Sequence, residues 1–523
     1  MSNNQSYANL KATFARVRNI NYAAEILAKD METVMARGST QDRINQIVAM
    51  GEATHAIMCD PKVADWLNDA EANAANLPPE DRRNLQLMRR EWVHTASLPD
   101  DLASELSRVS AQGEQLHTAN YKSGDWNTMK DWYTHSFAVA REVGEIKKDK
   151  LGLSSAYEAL LDQFSPGLRA AQIDREFAAL DAALRVMIPA AWARQKSLPA
   201  PLPLNGPFPV DAQMKLNHHL AKLVGFDTNR GVLYAINGHP SSSGSPDDNR
   251  ITTRCNDTEF FDSIYSTVHE AGHAMYGQNL PLAWRYQPAG DHMGMGVHES
   301  QSMIIELQAC MSGPFLDYLS GELQKTFSRP NDPALSPQNL KDTLWRSQPT
   351  FIRVQADELT YPLHVILRHD LEQRIISGKL DVKDLPDAWN DGMKQRLGIT
   401  PPDASKGCMQ DVHWPCGMIG YFPAYTLGAM GAAQFFAAAK KQDPSILPEI
   451  GRGNFKPLQT WLAANVHGKG SLLTNDDLFT QATGTPLNAT AYMNHLSERY
   501  LGNPYSPAAP QPPKGRRGDP EPC

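Results

Sequence analysis

The 523-residue sequence predicts a mainly α protein with one small β-sheet. Three observations carry that prediction. Apolar residues recur at three- and four-residue steps through seven long stretches with few β-branched runs; strand-like segments are short and few; and 41% hydrophobic with 21% charged residues is the balance of an ordinary globular chain. The helical stretches are 8–36, 40–58, 83–118, 128–150, 170–195, 338–376 and 455–467. The best strands are 231–236 and 250–254, separated by a glycine-, serine- and proline-rich loop at 237–248. Directly after them, Phe261, Ile264, Val268, Ala271 and Met275 give a further helix its buried face. The stretch 417–439 carries no charge and is long enough to cross a membrane, but its glycines, Pro423 and Gln434 fit a buried helix better. From Asn503 the chain is too rich in proline to pack, and a disordered tail is expected over 503–523.

Composition narrows the partners. A formal charge of −8 gives no reason to expect nucleic acid or an anionic membrane. The six cysteines (Cys59, Cys255, Cys310, Cys408, Cys416 and Cys523) show neither metal-ligand spacing nor a disulfide framework, which points to reduced thiols and a cytoplasmic protein. The polar amino terminus leads into Lys11 and Arg16 without an apolar core, so it does not read as a secretory signal.

The chemistry is concentrated in His269-Glu270-Ala-Gly-His273. Two histidines four apart on a helix share a face, so both imidazoles reach one metal ion, and Glu270 points near enough to take a proton from a metal-held water. That is the zinc-peptidase arrangement. A third ligand is expected, since catalytic zinc usually takes three protein ligands and keeps one position open. Glu299, with 25 residues between it and His273, is the leading candidate; Val297, Ile304, Ile305, Leu307 and Met311 put it on a second helix. His298 and Glu306 compete for the role, and an ordinary surface salt bridge is the bland reading of Glu299. A sheet edge beside such a helix can take an extended peptide as a further strand.

Separated blocks, in order from about residue 20 to about 500, resemble the carboxypeptidase Taq family of zinc metallopeptidases. They are Asp30-Met-Glu-Thr33 with Met35 and Gly38, His239-Pro240, Asp247-Asp248, Arg250-Ile-Thr-Thr-Arg254, His269-Glu270-Ala-Gly-His273 and His298-Glu299-Ser-Gln-Ser302. Ile352-Arg353-Val-Gln-Ala-Asp357-Glu358-Leu-Thr-Tyr-Pro-Leu-His364, Gln410-Asp411-Val-His413-Trp414, Gly420-Tyr421-Phe-Pro-Ala-Tyr425-Thr-Leu-Gly428 and Gly484-Thr-Pro-Leu-Asn488 follow. The sequence departs from the family pattern at Lys29 (usually tryptophan), Ala36 (proline), Ser241 (phenylalanine) and Gln355 (glutamate). Altered substrate fit, before lost chemistry, is expected from Lys29, Ser241 and Gln355.

The resemblance implies a single large helical peptidase fold over 1–502, with a deep active-site groove, a helical N-terminal cap and the small sheet beside the zinc helix. It implies a zinc-dependent carboxypeptidase that removes single residues from peptides with a free carboxyl end. One Zn2+ per subunit, Co2+ as its substitute, broad side-chain tolerance and a homodimer come with it. Glu270 then acts as base and acid, and His413 and Tyr421 donate to the oxyanion, with Tyr425 the runner-up. Arg353 holds the substrate carboxylate, and His239 lies at the groove wall. The bland readings are a satisfied buried histidine for His413 and, for Arg353, pairing with Asp357 and Glu358 in its own helix. An endo-oligopeptidase or dipeptidase on the same scaffold, and a silent peptide-binding protein, are the alternatives.

Overall fold

The computed structural model describes residues 5–506 as a mainly helical protein, so 507–523 of the expected tail lie outside the described residues. Helices Gln5–Thr33, Thr40–Met58, Pro61–Ala72 and Pro79–Ala96 form an amino-terminal layer with its own core. Tyr7, Leu10, Phe14 and Val17 recur at helical steps and supply the first helix's buried stripe, against Met58, Val63, Leu67, Leu85 and Met88. Within this layer Thr40–Met58 buries only Met58, and Val34, Ile44 and Val48 face solvent. The remaining helices share a second, larger core. The two layers are joined by an apolar cluster of Leu87, Trp284 and Ala289 and by polar contacts: Arg18 reaches Asp291 at 2.7 Å, and Glu25 accepts the Gly244 N–H at 3.0 Å.

Two expected helices are broken. The stretch 83–118 divides into Pro79–Ala96 and Asp100–Asn120, because Pro99 lacks an N–H and biases Leu98 away from helix, while Asp100 and Asp101 favour a new amino terminus. The stretch 338–376 divides into Pro337–Leu344 and Tyr361–Ile376. Between them Pro349 interrupts the helix, Asp357 caps the next turn by accepting from the N–H groups of Leu359 and Thr360, and Pro362 occupies its first turn. Shorter helices, among them Ala156–Phe164, Val210–Val224, Gly313–Thr326 and Thr490–Leu501, lie outside the seven periodic stretches.

The sheet has three strands, β1 (Gly231–Ala235), β2 (Ser242–Ser245) and β3 (Asp248–Thr253), in the order β1-β3-β2. β1 runs parallel to β3, with Leu233 beside Ile251, and β2 runs antiparallel to it, with Ser242 beside Ile251. β2 lies inside the segment expected to be a loop. It has no apolar alternation to reveal it and is held by backbone pairing, with Thr252 Oγ1 accepting the Ser241 N–H at 2.8 Å. On the outer edge at β2, the Gly244 N–H is bonded to Glu25.

Helix Phe261–Gln278, which carries the histidine motif, packs between β3 and helix Gly294–Met303; the latter continues as a π-helix over Ile304–Cys310. Close approach is made possible by small residues. A Cβ on Gly272 would lie 2.6 Å from the Gln301 carbonyl, and one on Gly428 would lie 2.5 Å from Glu299 Cβ. Gly428 belongs to Pro423–Gln442, the helix that takes up most of the uncharged stretch 417–439 weighed above and is buried along most of its length. Among the described residues no helix is long and apolar enough to cross a membrane.

Candidate active site

His269 and His273, one turn apart, present Nε2 to the same Glu299 oxygen at 3.8 and 3.7 Å. The three donor atoms lie within 4.8 Å of one another, and two imidazole nitrogens with one carboxylate oxygen are a donor set that zinc uses in catalytic sites. Glu306, a competitor for the third position, sits behind His269 instead, with Oε2 2.7 Å from Nδ1. That contact directs Nε2 into the cluster. Glu306 lies in the π-helical turn, a feature frequent at functional sites. His298 stacks on the His273 ring at a centroid distance of 4.1 Å and contributes packing.

Three carboxylates, Glu270, Glu299 and Glu306, surround these imidazoles. Burial alone would lower His269, but the Glu306 hydrogen bond and the three negative charges overcome it and push the imidazole up to about 10. Burial first, then the neighbouring imidazoles His298, His269 and His292, hold His273 well below its ordinary value. The cluster therefore offers one neutral donor and a second whose proton is retained by negative field. A divalent cation fits this set, because it satisfies the same field and displaces that proton. Glu270 is 7% exposed. Burial raises it, His269 draws it back and Glu299 raises it again, to about 7, the range suited to a base at neutral pH.

A second wall comes from 411–425. His413 Nε2 lies 3.3 Å from the Tyr425 hydroxyl, and the Tyr421 ring is 5.4 Å from His413 and 5.3 Å from Tyr425. The Nδ1 of His413 is buried without a hydrogen-bond partner among the described residues. Burial lowers the imidazole, Asp411 raises it, and Arg353 and Arg368 lower it again, to about 3, so the ring is neutral with one N–H to donate.

Arg353 is 5% exposed and lies in a short 3-10 turn, Arg353–Gln355, outside any α-helix. It does not pair with Asp357 or Glu358. Its Nε and Nη2 donate to Asp411 Oδ1 at 3.1 and 2.9 Å, and Nη1 donates to the Tyr361 hydroxyl at 2.7 Å. Glu358 faces the other way, to Arg499 and His495, while Asp357 caps its own turn. Fully buried Arg368 donates Nε to the second oxygen of Asp411 at 2.8 Å. Two guanidinium groups thus share one carboxylate, leaving one net positive charge in a dry wall. The pairing of Asp411 with Arg368 and Arg353 escapes a reading by spacing, since the contacts run 43 and 58 residues along the chain; the one available signal is an arginine on the apolar face of a helix, which needs a carboxylate.

His239 opens to solvent in the β1–β2 loop, where burial of part of its ring and the charges of Arg353 and His269 lower its imidazole. Gln355 is exposed, whereas Lys29 and Ser241 meet at the seam between the two layers. A separate cavity of about 730 Å3, lined by Arg83, Arg90, His94, Asp162, Arg169 and His292 among others, includes none of the candidate residues.

The family model described as carboxypeptidase Taq (M32) metallopeptidase matches residues 9–500. Thermostable carboxypeptidase 1 of Thermus thermophilus is 31% identical over 509 residues, covering 96% of this chain and 99% of its own. Metallocarboxypeptidase 1 of Trypanosoma cruzi superposes with a TM-score of 0.92 at 32% identity, covering 95% of this chain and 99% of that one. An M32 carboxypeptidase from Deinococcus radiodurans superposes with a TM-score of 0.88 at 30% identity and the same coverage.

Proposed function

The chain belongs to the carboxypeptidase Taq (M32) metallopeptidase family, and on that premise we propose that it is a metallocarboxypeptidase releasing single residues from the carboxyl end of peptides. The observation that carries this reading is the buried pair of guanidinium groups sharing Asp411, whose unneutralised charge suits a terminal carboxylate. His269, His273 and Glu299 would hold one divalent metal per subunit, zinc by the family with cobalt as its substitute. When bound, such a metal lowers the pKa of a water to ~7 and polarises the scissile carbonyl.

The chain's own groups do the rest. Glu270 takes the water's proton on its carboxylate and passes it to the leaving amine. The Tyr421 hydroxyl and the His413 N–H donate to the oxyanion, charge that exists only in the transition state. Tyr425 supports His413, and His239 contacts the peptide at the open side. Residues 1–502 act as one catalytic unit capped by the amino-terminal helices, with 503–523 as a tail. The cysteine pattern and the family favour a cytoplasmic homodimer.

Arg353→Ala tests the reading. It should spare metal binding and lower kcat/KM for free-carboxyl peptides by about 10–100-fold, the equivalent of ~1.5–3 kcal/mol for a hydrogen bond to a charged group. Carboxyl-amidated peptides should be poor substrates of the parent and nearly indifferent to the change. Equal cleavage of free and amidated peptides at internal bonds would establish the oligopeptidase alternative instead.

A further inference from the structure

Glu372 is 0% exposed, an acid enclosed in the interior. It lies on helix Tyr361–Ile376, on the face that also carries Tyr361 and Arg368. The Tyr361 hydroxyl accepts from Arg353 and Arg368 donates to Asp411, so this face already holds the start of the second wall. Glu372 holds the rest of it. Its Oε1 accepts the Trp414 Nε1–H at 2.8 Å, and its Oε2 accepts the Gly420 N–H at 3.2 Å. Trp414 follows His413 in the chain and Gly420 precedes Tyr421, so one side chain is bonded next door to each proposed oxyanion donor.

The segment it grips has no frame of its own. From Asp411 to Phe422 the chain is a run of turns, with neither α-helix nor strand to set it. Gly420 adopts a φ of 89°, and a Cβ there would stand 2.8 Å from the Leu161 N. The Trp414 ring packs edge-on against Trp389 and Phe422, at centroid distances of 5.8 and 6.0 Å. The carboxyl group is oriented in turn. The Tyr157 hydroxyl lies 3.0 Å from Oε2 and 2.8 Å from His369 Nδ1, and His369 Nε2 lies 2.8 Å from Asp174. Burial pushes the carboxyl up, and the Trp414, Tyr157 and Gly420 hydrogen bonds draw it back, to about 7. Both oxygens keep a lone pair for the loop in either protonation form.

We propose that Glu372 is a positioning residue for the oxyanion donors: by holding Trp414 and Gly420 it sets where the His413 N–H and the Tyr421 hydroxyl point. The inference deepens the reading above and rests on its assignment of those two donors, whichever peptide bond is cut. Donors of this kind act only where the oxyanion forms, and a misplacement of ~1 Å costs up to about 10²-fold.

The test measures kcat and KM of the metal-loaded full chain on a free-carboxyl peptide. A glutamine has one accepting oxygen where the acid has two. The shorter, ring-locked Trp414 contact keeps that oxygen, so in Glu372→Gln an NH2 group faces the Gly420 N–H and Tyr421 shifts. The expected result is a fall in kcat of about tenfold, with KM and metal content unchanged and melting temperature within a few degrees of the parent. Tyr421→Phe alone should cost kcat about 10²-fold. In a chain already carrying Tyr421→Phe, Glu372→Gln should cost less than about threefold, because the hydroxyl it positions is gone. A merely structural Glu372 would cost the same factor in both backgrounds. Tyr157→Phe leaves both loop contacts but frees Oε2 from its orienting hydroxyl; it should lower kcat about threefold, lose that cost in Tyr421→Phe, and carry the test if Glu372→Gln does not fold. Parental kcat in folded Glu372→Gln, or an equal cost in both backgrounds, would overturn the proposal and leave the two donors in place. Parental kcat in Tyr421→Phe would remove Tyr421 from the reading above, and the proposal with it.

Discussion

Glu306 offers no atom to the donor cluster, yet it decides which nitrogen of His269 the cluster receives. Partners of this kind typically contribute 10–100-fold to metal affinity, so Glu306→Ala should weaken binding by about that factor, read by titration against a competing chelator. Glu306→Gln, which can still accept from Nδ1, should lose less. Unchanged affinity in Glu306→Ala would mean that His269 is oriented by packing alone. Spacing placed His298, Glu299 and Glu306 in competition because all three lie on one helical stretch near the motif. What separates them is side-chain direction and the widened turn Ile304–Cys310, which no periodicity displays. The clamp around Arg353 was legible as a residue type but not as a partnership, because Asp411 reaches it only through the fold.

Between elements, the tightest fit of the site is helix Pro423–Gln442 against Gly294–Met303. A methyl group on Gly428 would stand 2.5 Å from Glu299 Cβ, well inside contact distance. Gly428→Ala should therefore force the helices apart, at a cost of about 1–3 kcal/mol, and displace a proposed metal donor as well. A lower melting temperature together with weaker metal binding is the expected pair of results. Gly321→Ala, at a helical position with nothing within 4 Å, is the control and should be neutral or stabilising. Helices were readable where apolar steps run on without proline, as in Gln5–Thr33 and Thr40–Met58. They were misjudged where proline restarts the chain, at Pro99 and Pro362, and β2 was missed because serines and a glycine carry no alternation.

Across the whole molecule, Glu358 staples helix Thr490–Leu501 to the segment that carries Arg353. It accepts from Arg499 Nη1 at 2.6 Å and lies 2.7 Å from His495 Nε2. Burial would raise its pKa, but Arg499 and His495 overcome it and bring the carboxyl from 4.5 down to about 2. A folded-state pKa below the unfolded one contributes stability above about pH 4.5, lost as pH falls toward 2. The contribution is on the order of 3 kcal/mol. Melting temperature followed from pH 6 to 2 should fall along this limb, and Glu358→Gln should flatten it while lowering stability at neutral pH. An unaltered limb would assign the acid sensitivity to other carboxylates.

The scant burial of Thr40–Met58 has a consequence on the time axis. A 19-residue helix with one buried side chain draws little from tertiary packing, and an isolated helix of that length is marginal in water. It should open as a unit of its own, far below the free energy that unfolds the rest. Amide hydrogens over 41–57 would exchange with solvent orders of magnitude faster than those over 424–439, and a protease would cut there first. The outermost piece of the cap would thus come and go many times while the histidine helix beneath it stays folded.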